Sequence, residues 1–330
     1  MTFRILCLDG GGVRGVMPAR ILQKVEEQLG SPLKDHFDLI AGTSTGSILA
    51  AGIAIGKSPE ELLNLYNDKG LKIFPYQNLF SLKRLPLILK YGISAPKFSD
   101  EGLIAALREQ FEDKKLSDIT PNHEGATDSL KVLIPSYDTE SRNPVIFKSW
   151  CHDRWYADVP VWEICVSSAS APTYFPAHRI EKDGKEYSLI DGGVCANNPV
   201  SCALAEAIKL LRQSSNQSAA NVIDQIKIIS IGTGDPASPI SWQKVRGWGL
   251  IQWGLHIADV FMDAPPDVHR YVAEQIIGNQ SNYIRLQLPL KEPLLNMDDA
   301  RESNLQALLK ETDDYINQEQ ERLDKFLVNW

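Results

Sequence analysis

Ser44 stands in Gly42-Thr43-Ser44-Thr45-Gly46, between a strand-length apolar run, Phe37 to Ala41, and a helix pattern of small residues, Ser47 to Ile55. Strand, sharp turn and helix are the context in which a serine is lifted clear of the chain as a nucleophile. Gly42 and Gly46 flank it two places away on either side, where the backbone folds back and a Cβ would crowd the turn. A tight connection holding an ordinary serine has the same signature, so the pentapeptide alone leaves both readings open. A second stretch able to do chemistry lies upstream. Asp9-Gly10-Gly11-Gly12-Val13-Arg14-Gly15 follows the apolar run Phe3 to Leu8 and precedes a helical pattern from Val16 to Leu29. Gly10, Gly12 and Gly15 have the spacing of a dinucleotide-binding loop, but the next strand ends in Ala41-Gly42-Thr43-Ser44, with no carboxylate for a ribose hydroxyl. Consecutive glycines ahead of a helix also present backbone N–H groups to an oxyanion. The two loops follow consecutive strands of one βαβ unit, so a parallel sheet delivers them to the same edge, nucleophile beside donors.

A serine nucleophile needs a base, most often a histidine. The six histidines, His36, His123, His152, His178, His256 and His269, stand in no motif that marks a catalytic role, and each reads as a surface or packed residue. Asp191 follows the strand pattern Tyr187 to Ile190 and precedes two glycines. That makes it either an Asp-Gly turn or a carboxylate at the carboxyl edge of the same sheet. Cys7, Cys151, Cys165, Cys195 and Cys202 are odd in number and form no Cys-x-x-Cys pair, which suggests neither a zinc site nor a disulfide framework and fits a reducing compartment. No cofactor or metal is expected.

The elements that position these residues alternate between strand and helix, as an α/β fold requires. With 330 residues, 43% of them hydrophobic and 23% charged, the chain can bury a sizeable core, and no composition break marks a second domain. A single domain is therefore expected over residues 1–330, with its motifs between residues 3 and 235 and a charged helical tail over about 298–330. A net charge of -8 argues against nucleic acid as a partner. The start of the chain shows no basic-then-apolar leader and no apolar run reaches spanning length, so a cytoplasmic protein with at most peripheral membrane contact is expected. Ser58-Pro59-Glu60-Glu61 predicts a capped helix start. Leu71 to Phe98 differs from its surroundings: Lys72, Lys83, Arg84, Lys90 and Lys97 are interleaved with apolar residues and no acidic one. It reads either as a core helix with solvated lysines or as a segment that meets an anionic lipid surface.

Taken in order, Asp9 to Gly15, Gly42 to Gly46, Ser168-Ala169-Ser170-Ala171-Pro172-Thr173-Tyr174-Phe175-Pro176 and Asp191-Gly192-Gly193-Val194-Cys195-Ala196-Asn197-Asn198-Pro199 resemble the ordered motifs of patatin-like phospholipases. The resemblance implies a three-layer α/β/α sandwich with a mainly parallel central sheet. It also implies phospholipase A-type hydrolysis of acyl esters of membrane glycerolipids, a glycerophospholipid or a galactolipid, through a Ser-Asp dyad and an acyl-serine. On the matching positions, Ser44 becomes the nucleophile, Asp191 the base and Gly10, Gly11 and Gly12 the oxyanion hole, with Arg14 as the basic residue of that loop and the N–H of Thr45 as a further donor. The third motif carries no catalytic residue and is expected to pack behind the site. Other classes share these features: a Rossmann-like or sugar-kinase-like nucleotide binder, a catalytically silent lipid-binding module, and a Ser-His-Asp esterase.

Overall fold

Alternation along the first strand, β1 (Phe3–Leu8), sets the architecture: Leu6 and Leu8 enter one core, Ile5 and Cys7 another, and all four are fully buried. A strand that is apolar on both faces must be covered by helices on both. The computed structural model describes residues 2–78, 81–121, 129–215, 218–236, 241–249, 252–253, 265–279, 281–290, 294, 296–328 and 330. On the first face lie α1 (Val16–Leu29), α2 (Thr45–Ala54), α3 (Pro59–Ile73), α5 (Glu101–Phe111), α6 (Val161–Ala169) and the C-terminal helix Glu302–Leu327. Across the sheet, α7 (Val200–Ser215) and the helix Pro265–Ile277 cover the second core. The result is the three-layer α/β/α arrangement expected from the motifs. Ser58 caps α3 with the reciprocal bond to Glu61 that the sequence predicts.

β1 pairs in parallel with β2 (Leu39–Gly42) on one side and β7 (Ile226–Ile231) on the other. β2 continues in parallel to β3 (Lys131–Asp138), and β7 to β9 (Tyr283–Leu286). The remaining strands run against this direction. β4 (Asn143–Lys148) and β6 (Lys185–Asp191) are antiparallel to β3, and β5 (His178–Lys182) is antiparallel to β6. β8 (Asp235–Pro236) and β10 (Pro289–Leu290) form a separate small pair.

One consequence of this register positions the site. β4 occupies one edge of β3 from Leu133 to Asp138, so the strands that pair with Leu133 and with Ser136 from the other side share the opposite edge. Those strands are β2, whose Ala41 faces Leu133, and β6, whose Asp191 faces Ser136. They run toward each other and stop end to end, leaving a gap opposite Ile134 and Pro135. Asp191 thus lies at the carboxyl edge of β2, as expected, but it arrives there from the opposite direction because β6 is antiparallel to β3.

The Leu71 to Phe98 stretch divides. Ile73, Phe74, Ala95 and Phe98 are buried, whereas a single helical turn Leu82–Arg84 and the helix α4 (Leu85–Tyr91) bury no residue. Leu79 and Phe80 lie outside the described residues, as do His123 and His256.

Candidate active site

Ser44 adopts φ 53° and ψ −122° between β2 and α2, a region that a residue with a Cβ rarely enters. Such a conformation costs about 1–3 kcal/mol and persists only where the surroundings enforce it. The enforcement is visible on both sides. A Cβ on Gly42 would lie 2.0 Å from the carbonyl oxygen of Gly46, and one on Gly46 would lie 2.2 Å from that of Leu8. Thr43 Oγ1 donates to the Ala196 carbonyl at 2.7 Å, tying the turn to the loop after β6.

Ser168 fills the gap between the ends of β2 and β6. The Ser44 N–H donates to Ser168 Oγ at 2.9 Å, and that hydroxyl donates to the Pro135 carbonyl at 2.6 Å. The Ser168 carbonyl accepts from Gly192 N–H at 3.1 Å, and the Ser170 carbonyl from Asp191 N–H at 3.0 Å. Ser168 and Ser170 thus pack behind the site as expected and tie the two loops together, but Ala169 and Ala171 to Phe175 of the same motif line the cavity itself, which corrects the expectation for those residues. Asp191 is fully buried; its Oδ1 accepts from Gly193 N–H at 2.6 Å, while Oδ2 has no formed hydrogen bond among the described residues. Burial pushes the Asp191 carboxyl up to about 7, with the Ser44 hydroxyl and the Gly193 N–H opposing that rise. A carboxyl so raised is a base matched to neutral pH.

In the glycine loop, the Gly10 N–H is engaged with the Asn197 carbonyl at 3.1 Å and the Val13 N–H with the Met297 carbonyl at 2.8 Å. The N–H groups of Gly11, Gly12 and Thr45 have no partner among the described residues. The Gly10 N–H is thereby committed to the loop, where a Cβ would sit 3.0 Å from Ser44 Cβ, while of the three open groups those of Gly12 and Thr45 belong to residues that line the same cavity as Ser44. Gly12 has φ 58° and a Cβ on it would meet the Met297 carbonyl at 2.1 Å, so glycine is required on both counts. Arg14 is buried and is not among the residues that line the cavity.

Ser44, Thr45, Gly12 and Asp191 line the head of a cavity of about 170 Å³. Its walls are apolar, with Ile48, Leu65, Ile73, Phe74, Leu103 and Phe175 contributing. His36, His152, His178 and His269 all lie outside this lining. His269 instead joins Ser201 Oγ and the Cys195 carbonyl, and His36 joins Ser31. Among the described residues no group of three or more His, Cys, Asp or Glu side chains could hold a metal ion.

Residues 6–204 match a family model described as patatin-like phospholipase. The chain is 32% identical over 345 residues to patatin-like protein 2 of Arabidopsis thaliana, covering 94% of this chain and 82% of that protein. The chain belongs to the patatin-like phospholipase family. Patatin-like protein 2 of Oryza sativa subsp. indica is 29% identical over 355 residues, covering 97% and 85% of the two chains. Among solved structures, human GIVD cytosolic phospholipase A2 is similar over 99% of this chain and 60% of its own, with 12% identity and a TM-score of 0.46.

The patatin-like match spans the glycine loop, the elbow, Ser168 and Asp191, and ends before two elements that complete the site. Met297 closes the glycine loop from outside the matched region. Arg285, on β9, makes a bidentate ion pair with Asp9 at the loop's first position, with Nη1 to Oδ1 at 3.0 Å, and also donates to Ser230 Oγ at 2.9 Å. Burial opposes the charge on Arg285, but the Asp9 carboxylate outweighs it and holds the guanidinium protonated. An arginine inside the otherwise apolar strand Tyr283-Ile284-Arg285-Leu286 was a legible signal that a buried carboxylate awaited it. Met297 had no such signal.

Breaking this pair strands a buried charge, so Arg285→Met should destabilise the protein by about 3–5 kcal/mol in urea unfolding at neutral pH. Asp9→Leu combined with Arg285→Met should recover most of that loss, because both charges leave together. Equal destabilisation in the single and double variants would show that Arg285 acts by packing alone.

Proposed function

We propose that this protein is a lipid acyl hydrolase of phospholipase A type, cleaving acyl esters of membrane glycerolipids with Ser44 as nucleophile and Asp191 as base. The observation that carries this reading is that a serine on an enforced, strained turn and a buried carboxyl raised to about 7 share the head of one apolar cavity. Asp191 takes the Ser44 proton as Oγ attacks the ester carbonyl. The negative charge that develops on the carbonyl oxygen is met by the open N–H groups of Gly11, Gly12 and Thr45, fixed donors that need no reorganisation at that moment. Collapse of the tetrahedral intermediate expels the alcohol, protonated by Asp191, and leaves an acyl-serine; water, deprotonated by the same carboxylate, then releases the fatty acid. Apolar walls suit an acyl chain, each buried methylene contributing about 0.8 kcal/mol.

The same features weigh against the rivals. A nucleotide needs cations or further donors for its phosphates, and no lysine or arginine lines this cavity. A Ser-His-Asp esterase needs a histidine at the serine, and the described histidines lie elsewhere. A silent lipid-binding module differs only in turnover, so the deciding experiment is reaction with a fluorophosphonate probe. Labelling of the native chain that disappears in Ser44→Ala is expected; an unlabelled native chain would favour the silent module.

A further inference from the structure

The chain leaves the cavity wall at Phe74 and returns to it at Phe98. These two rings pack edge to face at 5.4 Å between centroids, and each packs on Phe175 of the cavity lining, at 5.7 and 5.8 Å. Both feet of the excursion are bonded to the cavity rim. Lys97 and Phe98 N–H groups donate to the carbonyls of Thr173 and Tyr174, each at 2.8 Å, and Gln77 Nε2 donates to the Asp298 carbonyl at 2.9 Å, next to Met297. Arg84 donates to the carbonyls of Ala95 and Pro96 and fastens the outgoing leg to the returning one.

Beyond the feet, apolar side chains face water. Leu82, Leu89 and Ile93 are 87%, 80% and 87% exposed, and Leu85 is 52% exposed. Single exposed leucines are ordinary on a protein surface, but four such residues within one short excursion call for a partner. Lys83 and Lys90 stand exposed among them, and no acidic residue occurs from Leu71 to Phe98 in a chain whose net charge is -8. Positive charge and unburied aliphatic carbon are therefore concentrated together, at the rim of a cavity that is itself apolar.

We propose that this excursion docks the protein on an anionic lipid bilayer, with Leu82, Leu85, Leu89 and Ile93 entering the interface and Lys83 and Lys90 meeting acidic headgroups. The occupant follows from charge complementarity and shape: the apolar side chains stand outward on a turn and a short helix, suited to insertion between lipid headgroups, and cations flank them. The docking site rests on the acyl-hydrolase reading for its purpose, since feet bonded to the cavity rim bring the lipid surface to the opening that leads to Ser44. Its existence can be measured without turnover.

Flotation of the full chain carrying Ser44→Ala with vesicles of phosphatidylcholine, alone or mixed with phosphatidylserine, supplies the test. Binding should favour the phosphatidylserine vesicles, weaken with added salt, and fall by about tenfold or more when Leu82, Leu89 and Ile93 are replaced together by Ser, or Lys83 and Lys90 together by Gln. In chains that retain Ser44, the same replacements should leave hydrolysis of a short, water-soluble ester unchanged, which also shows that they fold. Vesicle binding by both variants equal to that of the parent would overturn the proposal, as would absence of binding by the parent. So would a concentration-dependent dimer of the parent, seen by sedimentation, that the Ser replacements abolish. Vesicle binding that responds to the replacements in a chain inactive on every ester would support docking while removing the hydrolase reading.

Discussion

Ser44→Ala should lower ester hydrolysis by about a thousandfold or more while leaving the circular dichroism spectrum and the urea midpoint near those of the native chain. The size of the loss follows from chemistry: without Oγ no acyl-enzyme forms, and what remains is the residual effect of binding and of the oxyanion donors. The fold should tolerate the change because the backbone of Ser44, not its hydroxyl, holds the turn. Its N–H is bound to Ser168 Oγ, and its carbonyl accepts from Ser47 Oγ at 2.6 Å. Steady-state hydrolysis of a soluble ester checks this directly, and turnover within tenfold of the native rate by the folded variant would remove Ser44 as nucleophile.

Asp191→Asn should abolish most activity and at the same time stabilise the protein at neutral pH. Desolvation raises the Asp191 carboxyl from 3.8 to about 7, so in the native chain the folded state holds a proton that the unfolded state has released throughout that interval. The unfolded state then binds fewer protons, and stability falls as pH rises from about 4 to about 7. Below the window both states are protonated and the penalty is absent; above it the penalty is complete, about 4 kcal/mol at this shift. Asparagine keeps an acceptor for the Gly193 N–H and carries no charge, so the variant should gain stability of that order at pH 8 and little at pH 4. The rate of the native enzyme moves oppositely, since the base must be ionised: kcat/KM should rise with pH and reach half its plateau near 7. Urea unfolding at the two pH values, together with a pH–rate profile, checks both halves. A variant less stable than the native chain at pH 8, or a native rate flat from pH 5 to 9, would show that Asp191 is not the strained base inferred from its burial.

Much of the site was legible in the sequence because its parts are local. Gly42 and Gly46 are needed by a turn only five residues long, and the glycine loop and elbow follow successive strands of one βαβ unit, so their meeting at one sheet edge needs no information from elsewhere in the chain. The period-two burial of β1 against two cores was likewise written in its own residues. A stretch such as Leu71 to Phe98 was less decisive, because alternating apolar and basic residues look alike whether the apolar ones are packed, as Ile73, Phe74 and Phe98 are, or exposed, as Leu82, Leu89 and Ile93 are.

What tertiary structure alone decided is how Asp191 reaches Ser44. No local pattern reveals that β6 is antiparallel to β3, that it shares an edge of β3 with β2, or that the two strands stop head to head with Ser168 between them. Strand direction depends on which distant partner supplies the hydrogen bonds, and that is a property of the assembled sheet. The raised carboxyl has the same origin, since its cause is desolvation by residues far away in the chain. Sequence by itself therefore determined the turn that carries Ser44 and the glycine loop beside it, both built from neighbouring residues. The assembled fold decided which N–H groups stay open, how Asp9 is neutralised by Arg285, and what proton affinity Asp191 has, because each depends on contacts that only packing creates.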